Sequence, residues 1–236
     1  PPLERAARPG PAAGPRGRAR VAAVSSPLFL LRDDPQLFFA FVIAVIVGIT
    51  FHEFSHAAVA TLQGDQTARS QGRLTLNPVS HLDPLGTIAL VLAGFGWGRP
   101  VPFSPMHLRS RRWGAALVGL AGPAANFVLA LASVIALRLL YSSALGGFQV
   151  DFRVRLLEML VLLNVVLGVF NLLPIPPLDG SRLLSIFLPQ SRQNIVYFLD
   201  QYGIFLLLGI LILAPGLLTP VFRGITRFLY GLVGLI

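Results

Sequence analysis

The sequence predicts an all-α polytopic membrane protein with about five transmembrane helices, a short re-entrant segment and a small membrane-associated β element. Hydrophobic residues make up 54% of the 236 residues and charged residues only 12%, whereas a soluble domain is about a quarter charged. Several apolar runs are also long enough, or nearly so, for the roughly 20 residues that a spanning helix needs. They cover residues 37–62, 113–141, 154–173, 195–213 and 217–236. These observations exclude an ordinary water-soluble fold.

The first 27 residues differ from the rest of the chain. Proline, glycine and arginine are frequent in residues 1–27, and such a composition cannot bury a core. We therefore expect a disordered basic arm, followed by a single domain over residues 28–236. All 19 basic residues are arginine, and they give the chain a net charge of +9. Beyond the arm they flank apolar runs, as charges in membrane loops do, so we expect a lipid bilayer and no nucleic acid as a partner.

Two short elements follow the first apolar run. Residues 85–95 are apolar but too few to cross a membrane, which favours a re-entrant or interfacial segment. Before them, residues 72–78 alternate between polar and apolar side chains and end in Asn77-Pro78. Alternation that ends in a turn signal predicts a short strand over residues 73–77.

The first apolar run carries a charged motif near its end, His52-Glu53-Phe54-Ser55-His56. Residues i and i+4 share one face of a helix, so both imidazoles can reach one zinc ion, with Glu53 placed to act on a bound water. Ionisable groups in a spanning helix cost about 2.5–3.5 kcal/mol each on insertion scales and usually mark function. At 1.5 Å per residue, His52 lies roughly 22 Å beyond Leu37. We therefore expect the metal inside the bilayer, near the face where the chain emerges.

A catalytic zinc site takes three protein ligands and keeps one position open, so a third ligand is needed. His81 and Asp83 precede a proline in a polar stretch, where capping a turn is the simpler role. Glu158 lies within one turn of Arg155, which suggests a local ion pair. Asp179 follows an apolar segment that three prolines interrupt, and an opened helix there could deliver a carboxylate. The residues alone favour Asp179 and leave the other three candidates open.

Several motifs occur in order within residues 44–185. They are His52-Glu53-Phe54-Ser55-His56, Gly64-Asp65-Gln66-Thr67-Ala68, Gly72-Arg73-Leu74-Thr75-Leu76-Asn77-Pro78 with His81, Asp83-Pro84 and Gly86-Thr87, Gly122-Pro123-Ala124-Ala125-Asn126, Asn171-Leu172-Leu173-Pro174 and Leu178-Asp179-Gly180. With these motifs the chain resembles the site-2 protease family of intramembrane zinc metalloproteases, and most closely its small members without a PDZ domain. The resemblance implies one Zn²⁺ per chain, with His52, His56 and Asp179 as its ligands.

The resemblance also implies roles for other side chains. Glu53 would be the general base, and Asn171 would lie near the metal and stabilise an oxyanion. Asn126 would be a packing residue near the site. Independently of the resemblance, the predicted strand suggests substrate binding, because its exposed edge could pair with an extended substrate; the alternative is a plain connecting strand. Its residues are Arg73, Leu74, Thr75, Leu76 and Asn77.

Together these implications predict an enzyme that hydrolyses peptide bonds within or near transmembrane segments of membrane proteins. Its partners would be a transmembrane-protein substrate and the bilayer. We expect a multi-pass protein of a prokaryotic cell membrane, with its active site toward the cytosolic side. The alternatives are a catalytically silent zinc-binding membrane adaptor, which has no need of Glu53, and a transporter, which needs more than one cluster of intramembrane charges.

Overall fold

The computed structural model describes residues 27–93, 96–143, 151–187, 193–214 and 216–235, and these parts of the chain are mostly helical and contain no strand. The helices are α1 (Pro27–Asp33), α2 (Pro35–Leu62), α3 (Thr67–Ser70), α4 (Pro84–Ala93), α5 (Arg111–Ser143), α6 (Phe152–Asn171), α7 (Ser181–Phe187), α8 (Gln193–Leu213) and α9 (Thr219–Leu232). Two 3₁₀ turns, Pro78–Ser80 and Pro105–His107, lie between α3 and α5. Residues 1–26 of the predicted arm lie outside the described residues.

Three helices of the described chain are long and apolar enough to cross a membrane: Pro35–Leu62, Trp113–Ser142 and Phe152–Asn171. They correspond to α2, α5 and α6, which all pack on one another. The first three predicted spans are therefore confirmed as candidate membrane-spanning helices.

The fourth and fifth predicted spans are not confirmed. Helix α8 has 21 residues, but its described apolar part, Tyr197–Ile210, is shorter than a span needs. Helix α9 has 14 residues, which corresponds to about 21 Å. It is also amphipathic, because Arg223 and Arg227 are exposed whereas Leu229 is buried against α5 and α6.

The starts of α2 and α6 are fixed by aspartates that cap them. Asp34 accepts a hydrogen bond from the backbone N–H of Leu37 at 3.2 Å, and Asp151 accepts one from the N–H of Arg153 at 3.0 Å. Such caps satisfy N–H groups that have no partner within the helix. Asp34 also forms an ion pair with Arg155. The starts of α2 and α6 therefore lie together at one end of the helix bundle.

The core between α5 and α6 is built from alanine, valine and leucine side chains. Its buried members are Ala130, Val134, Leu137, Val154, Val161, Val165, Val169 and Leu229. Leu229 belongs to α9, so this helix covers one side of the pair. Small and branched residues let two apolar helices approach closely inside a bilayer, where close packing drives helix association.

The predicted short apolar segment forms α4, which has 10 residues and is too short to cross a membrane. The predicted strand over residues 73–77 does not form. Instead, this segment folds against neighbouring loops: the Thr75 carbonyl accepts from Nε2 of His81 at 2.7 Å, and the Asn77 side chain accepts from the N–H of Val79 at 3.1 Å. These two acceptors are engaged in local contacts, and the segment with the alternating pattern is a folded loop.

Candidate metal centre

The two histidines of the charged motif lie one turn apart on α2, and both are buried. Their Nε2 atoms are 3.0 Å apart. This follows from the helical repeat, which places residues i and i+4 on one face. Since two ring nitrogens meet at one point in an apolar helix, the pair is suited to binding a cation.

Asp179 completes this group from the turn between α6 and α7. Its Oδ2 lies 2.9 Å from Nε2 of His52 and 3.1 Å from Nε2 of His56. The three ligand atoms all lie within 4.8 Å of one another, and among the described residues no other cluster of histidines, aspartates or glutamates does so. The structure therefore brings together the three residues for which a ligand role is predicted.

The backbone around Gly180 holds Asp179 in this position. The N–H of Gly180 donates to the carbonyl of Asn171 at 2.7 Å, which ties the turn to the end of α6. A Cβ at Gly180 would lie 2.2 Å from the carbonyl oxygen of Leu172. Only glycine fits this close approach of two backbone segments.

The second ring nitrogen of each histidine is also engaged. Nδ1 of His56 lies 2.6 Å from the carbonyl oxygen of Val118, and Nδ1 of His52 lies 2.6 Å from Oδ1 of Asn126. A carbonyl oxygen can only accept, so both Nδ1 atoms carry the proton and donate. Both Nε2 atoms therefore face Asp179, while each Nδ1 donates to an oxygen, which is the arrangement that ligating histidines usually show.

A second buried asparagine fixes the orientation of Asn126. Nδ2 of Asn126 donates to Oδ1 of Asn164 at 2.7 Å and to the carbonyl of Gly48 at 3.2 Å. Because its amide nitrogen is committed to two acceptors, Oδ1 of Asn126 must face His52. Sequence reasoning identified Asn126 as a residue near the site but missed Asn164, although an asparagine within an apolar span is itself a signal of function.

Gly122 leaves open the space beside the two histidines. A Cβ at Gly122 would lie 2.5 Å from Nε2 of His56 and 2.6 Å from Nε2 of His52. Any larger residue in α5 would fill the position where both nitrogens point. Two imidazole nitrogens and one carboxylate oxygen are a donor set that zinc prefers, so the residues present fit a zinc ion.

Glu53 follows His52 on α2 and lies beside the segment after α4. A Cβ at Gly98 would be 3.4 Å from Oε1 of Glu53. This segment is held in turn by Arg73, a buried residue whose Nη2 donates to the carbonyls of Arg99 and, at 3.3 Å, Pro100. Arg73 thus faces the interior of the protein near Glu53, whereas the sequence predicted that it lies on an exposed strand edge.

His81 supports the same segment. It is fully buried, and its backbone carbonyl accepts from the N–H of Arg99 at 2.7 Å. Leu82 and Gly98 form an isolated antiparallel bridge beside it. Burial, together with the nearby charge of Arg73, lowers the pKa of His81, so its ring is neutral and its Nε2 donates to Thr75. His81 is therefore a structural residue of the loop.

The other ligand candidates lie elsewhere. Oδ1 of Asp83 accepts from the N–H of Gly86 at 2.8 Å and so caps the first turn of α4. Glu158 is exposed on α6. The side chain of Asn171 donates from Nδ2 to the carbonyl of Leu167 at 3.0 Å, so in this structure it is bonded within its own helix.

The chain is similar to one family model and to several named proteins. Residues 147–214 match the family model described as Peptidase family M50. A Bacillus subtilis protein named "Putative zinc metalloprotease YwhC" is 40% identical over 78% of this chain and 85% of its own length. A Mycobacterium tuberculosis protein of the same description, Rip2, is 34% identical over 80% of this chain and 72% of its own length. The zinc metalloprotease MJ0392 of Methanocaldococcus jannaschii is 26% identical over 63% of this chain and 34% of its own length. No solved structure matches the chain.

Proposed function

Because the chain belongs to peptidase family M50, the family of the site-2 proteases, we propose that it is a zinc metalloendopeptidase that cleaves peptide bonds within or near transmembrane segments of membrane proteins. One observation carries this proposal: the Nε2 atoms of His52 and His56 meet Oδ2 of Asp179. The two histidines and Glu53 belong to a helix that is long enough to span a membrane. A metalloprotease needs this combination of ligands and base.

The depth of the site supports a substrate inside the membrane. His52 lies 17 residues after Pro35, the first residue of α2, which corresponds to about 25 Å along the helix. A hydrocarbon core is about 30 Å thick. Residues near His52 would therefore meet a substrate close to one face of the bilayer, where water can also enter.

In the proposed mechanism, His52, His56 and Asp179 would hold the zinc ion. The Nδ1 of each histidine donates to an oxygen, and the backbone of Gly180 holds the turn that carries Asp179, so the three ligand atoms are kept in place. Zinc, when bound, lowers the pKa of water toward about 7 and polarises the scissile carbonyl. The Glu53 carboxylate takes the proton of the attacking water and passes it to the leaving amine. Asn171 would donate from Nδ2 to the developing oxyanion, after releasing the carbonyl of Leu167.

The catalytically silent adaptor remains the competing function. It would keep the three metal ligands but would have no use for a carboxylate at position 53. The presence of Glu53 beside an ordered backbone segment therefore favours the protease.

Removing and restoring the metal tests the proposal. We expect a zinc chelator to stop cleavage of a single-span membrane protein in liposomes, because three side chains of this chain bind the ion that activates water. One equivalent of zinc should restore cleavage to the starting rate. An adaptor would bind zinc with no cleavage in either state, and cleavage that is insensitive to the chelator would contradict the metal mechanism.

A second prediction concerns Gly122. Gly122→Ala should weaken zinc binding at least about tenfold, comparable to the loss of a group that orients a metal ligand, because the added methyl group lies 2.5 Å from Nε2 of His56. The matched control is Gly209→Ala in α8, where a Cβ has nothing within 4 Å. Zinc content after dialysis measures both. Stoichiometric zinc in Gly122→Ala would show that the ion does not occupy this space.

We further propose five spans, with α8 and the region of α9 as the fourth and fifth, and the metal end of α2 toward the cytosol. Arginines favour cytosolic loops, and the connection at this end carries the exposed residues Arg69, Arg99 and Arg109. The starts of α2 and α6 would then face outward.

Cysteine labelling tests this orientation, since the chain has no native cysteine. Ser142 and Ser110 are exposed near opposite ends of α5. A membrane-impermeant reagent added to intact cells should label Ser142→Cys and leave Ser110→Cys unlabelled until the membrane is opened. The reverse pattern would contradict the orientation.

A further inference from the structure

Resting on the proposed function, we propose that an apolar cavity one helical turn from Glu53 is a subsite for a large apolar side chain of the substrate, within about two residues of the scissile bond. The cavity has a volume of about 350 Å³ and lies between α2, α4, α6 and the α8–α9 region. It would make the enzyme selective for leucine or phenylalanine over alanine at one substrate position.

The walls of the cavity are almost entirely aliphatic and aromatic. Members from the three main walls include Val45, Ile49, Leu90, Leu163 and Phe170. Thr87 is a polar member, and its hydroxyl donates to the carbonyl of Asp83 at 2.7 Å. Because the lining is apolar, the cavity suits a hydrocarbon group.

One lining residue, Ile49, brings the edge of the cavity within one helical turn of the proposed base. Ile49 lines the cavity, and a Cβ at Gly98 would lie 3.0 Å from Cγ2 of Ile49 and 3.4 Å from Oε1 of Glu53. Ile49 precedes Glu53 by one helical turn, or about 6 Å at 1.5 Å per residue. An extended chain covers this distance in about two residues. A peptide bond held at Glu53 could therefore place a nearby side chain in the cavity.

The proposed occupant is one side chain of an unwound substrate. A substrate would have to be unwound at this point, and its peptide bonds must be unwound in any case to be attacked. A lipid chain also suits apolar walls, so the test measures contact with the substrate directly.

The test uses a purified single-span peptide in liposomes, with leucine or alanine placed in turn at each of the three positions on both sides of the cleaved bond. We expect wild type to prefer leucine at one position by at least about tenfold in kcat/KM, as hydrophobic pockets do. Leu163→Trp, which fills the cavity, should bring the ratio of leucine to alanine cleavage close to one.

The matched control is Leu162→Trp, at a neighbouring residue of α6 that is 44% exposed and outside the cavity. It should keep the wild-type ratio. A wild type without any preference, or a Leu163→Trp variant that keeps it, would overturn the subsite while leaving the proposed function intact. If wild type cleaves none of the peptides, both proposals fail.

Crosslinking provides a measurement that does not depend on the tryptophan variant folding. In the Glu53→Gln background, Leu163→Cys should form a disulfide with a substrate cysteine near the cleaved bond, and Leu162→Cys should not. Equal crosslinking of both variants, or none at any substrate position, would show that the substrate does not enter the cavity.

Discussion

Glu53→Gln is expected to abolish peptide cleavage while the protein keeps one zinc ion per chain. Glutamine has the shape of glutamate but cannot take the proton of the attacking water, and the loss of a general base costs about 10²–10⁴-fold. Zinc should be retained because the three clustered ligand atoms belong to His52, His56 and Asp179. The measurement is the rate of cleavage of a single-span protein, with zinc content determined on the same sample.

The control for this variant is Ser55→Ala, within the same motif. The hydroxyl of Ser55 donates to the carbonyl of Phe51 in its own helix, so its loss should leave cleavage near the wild-type rate. A Glu53→Gln variant that retains a tenth of the wild-type rate would remove Glu53 from the role of base.

The second large effect is expected for the metal ligands. His56→Ala and Asp179→Ala should each lose zinc, with a larger loss of affinity than the 10–100-fold that removal of an outer-shell partner causes. Each variant removes one of the three atoms that converge on a single point. Cleavage should fall to background in both, because the ion is required for the reaction.

Glu158→Gln is the matched control for the ligand variants. Glu158 is a carboxylate that the sequence left open as a ligand, and it is exposed on α6. Its replacement should leave the zinc content unchanged. Stoichiometric zinc in Asp179→Ala, or its loss in Glu158→Gln, would require a different third ligand.

The part of the site that could be predicted from sequence follows from local geometry. His52 and His56 are four residues apart, so the helical repeat alone places them together. Asp179 is 123 residues from His56, and its local sequence does not predict which helix its side chain contacts. The residues favoured it only weakly, and the family resemblance was needed to select it.

Other parts depend on packing and could not be predicted. The alternation in residues 73–77 does not reveal that Arg73 is buried and donates to the carbonyls of Arg99 and Pro100. Gly122 belongs to one of the sequence motifs, but the motif does not reveal that α5 passes so close to the two histidines that a Cβ at this position would touch their Nε2 atoms. The fourth and fifth spans stay predictions, because the number of apolar residues does not fix how a helix is oriented, and Arg223 and Arg227 lie four residues apart on α9.

The most direct test of the account is to locate the cleaved bond. A purified single-span protein should be incubated in liposomes with zinc-loaded wild type and with Glu53→Gln, and its fragments identified by mass spectrometry. The account predicts fragments from wild type alone, with the new termini within or at the edge of the transmembrane segment. Fragments that end only in soluble regions, or the same fragments from Glu53→Gln, would contradict intramembrane proteolysis by this site.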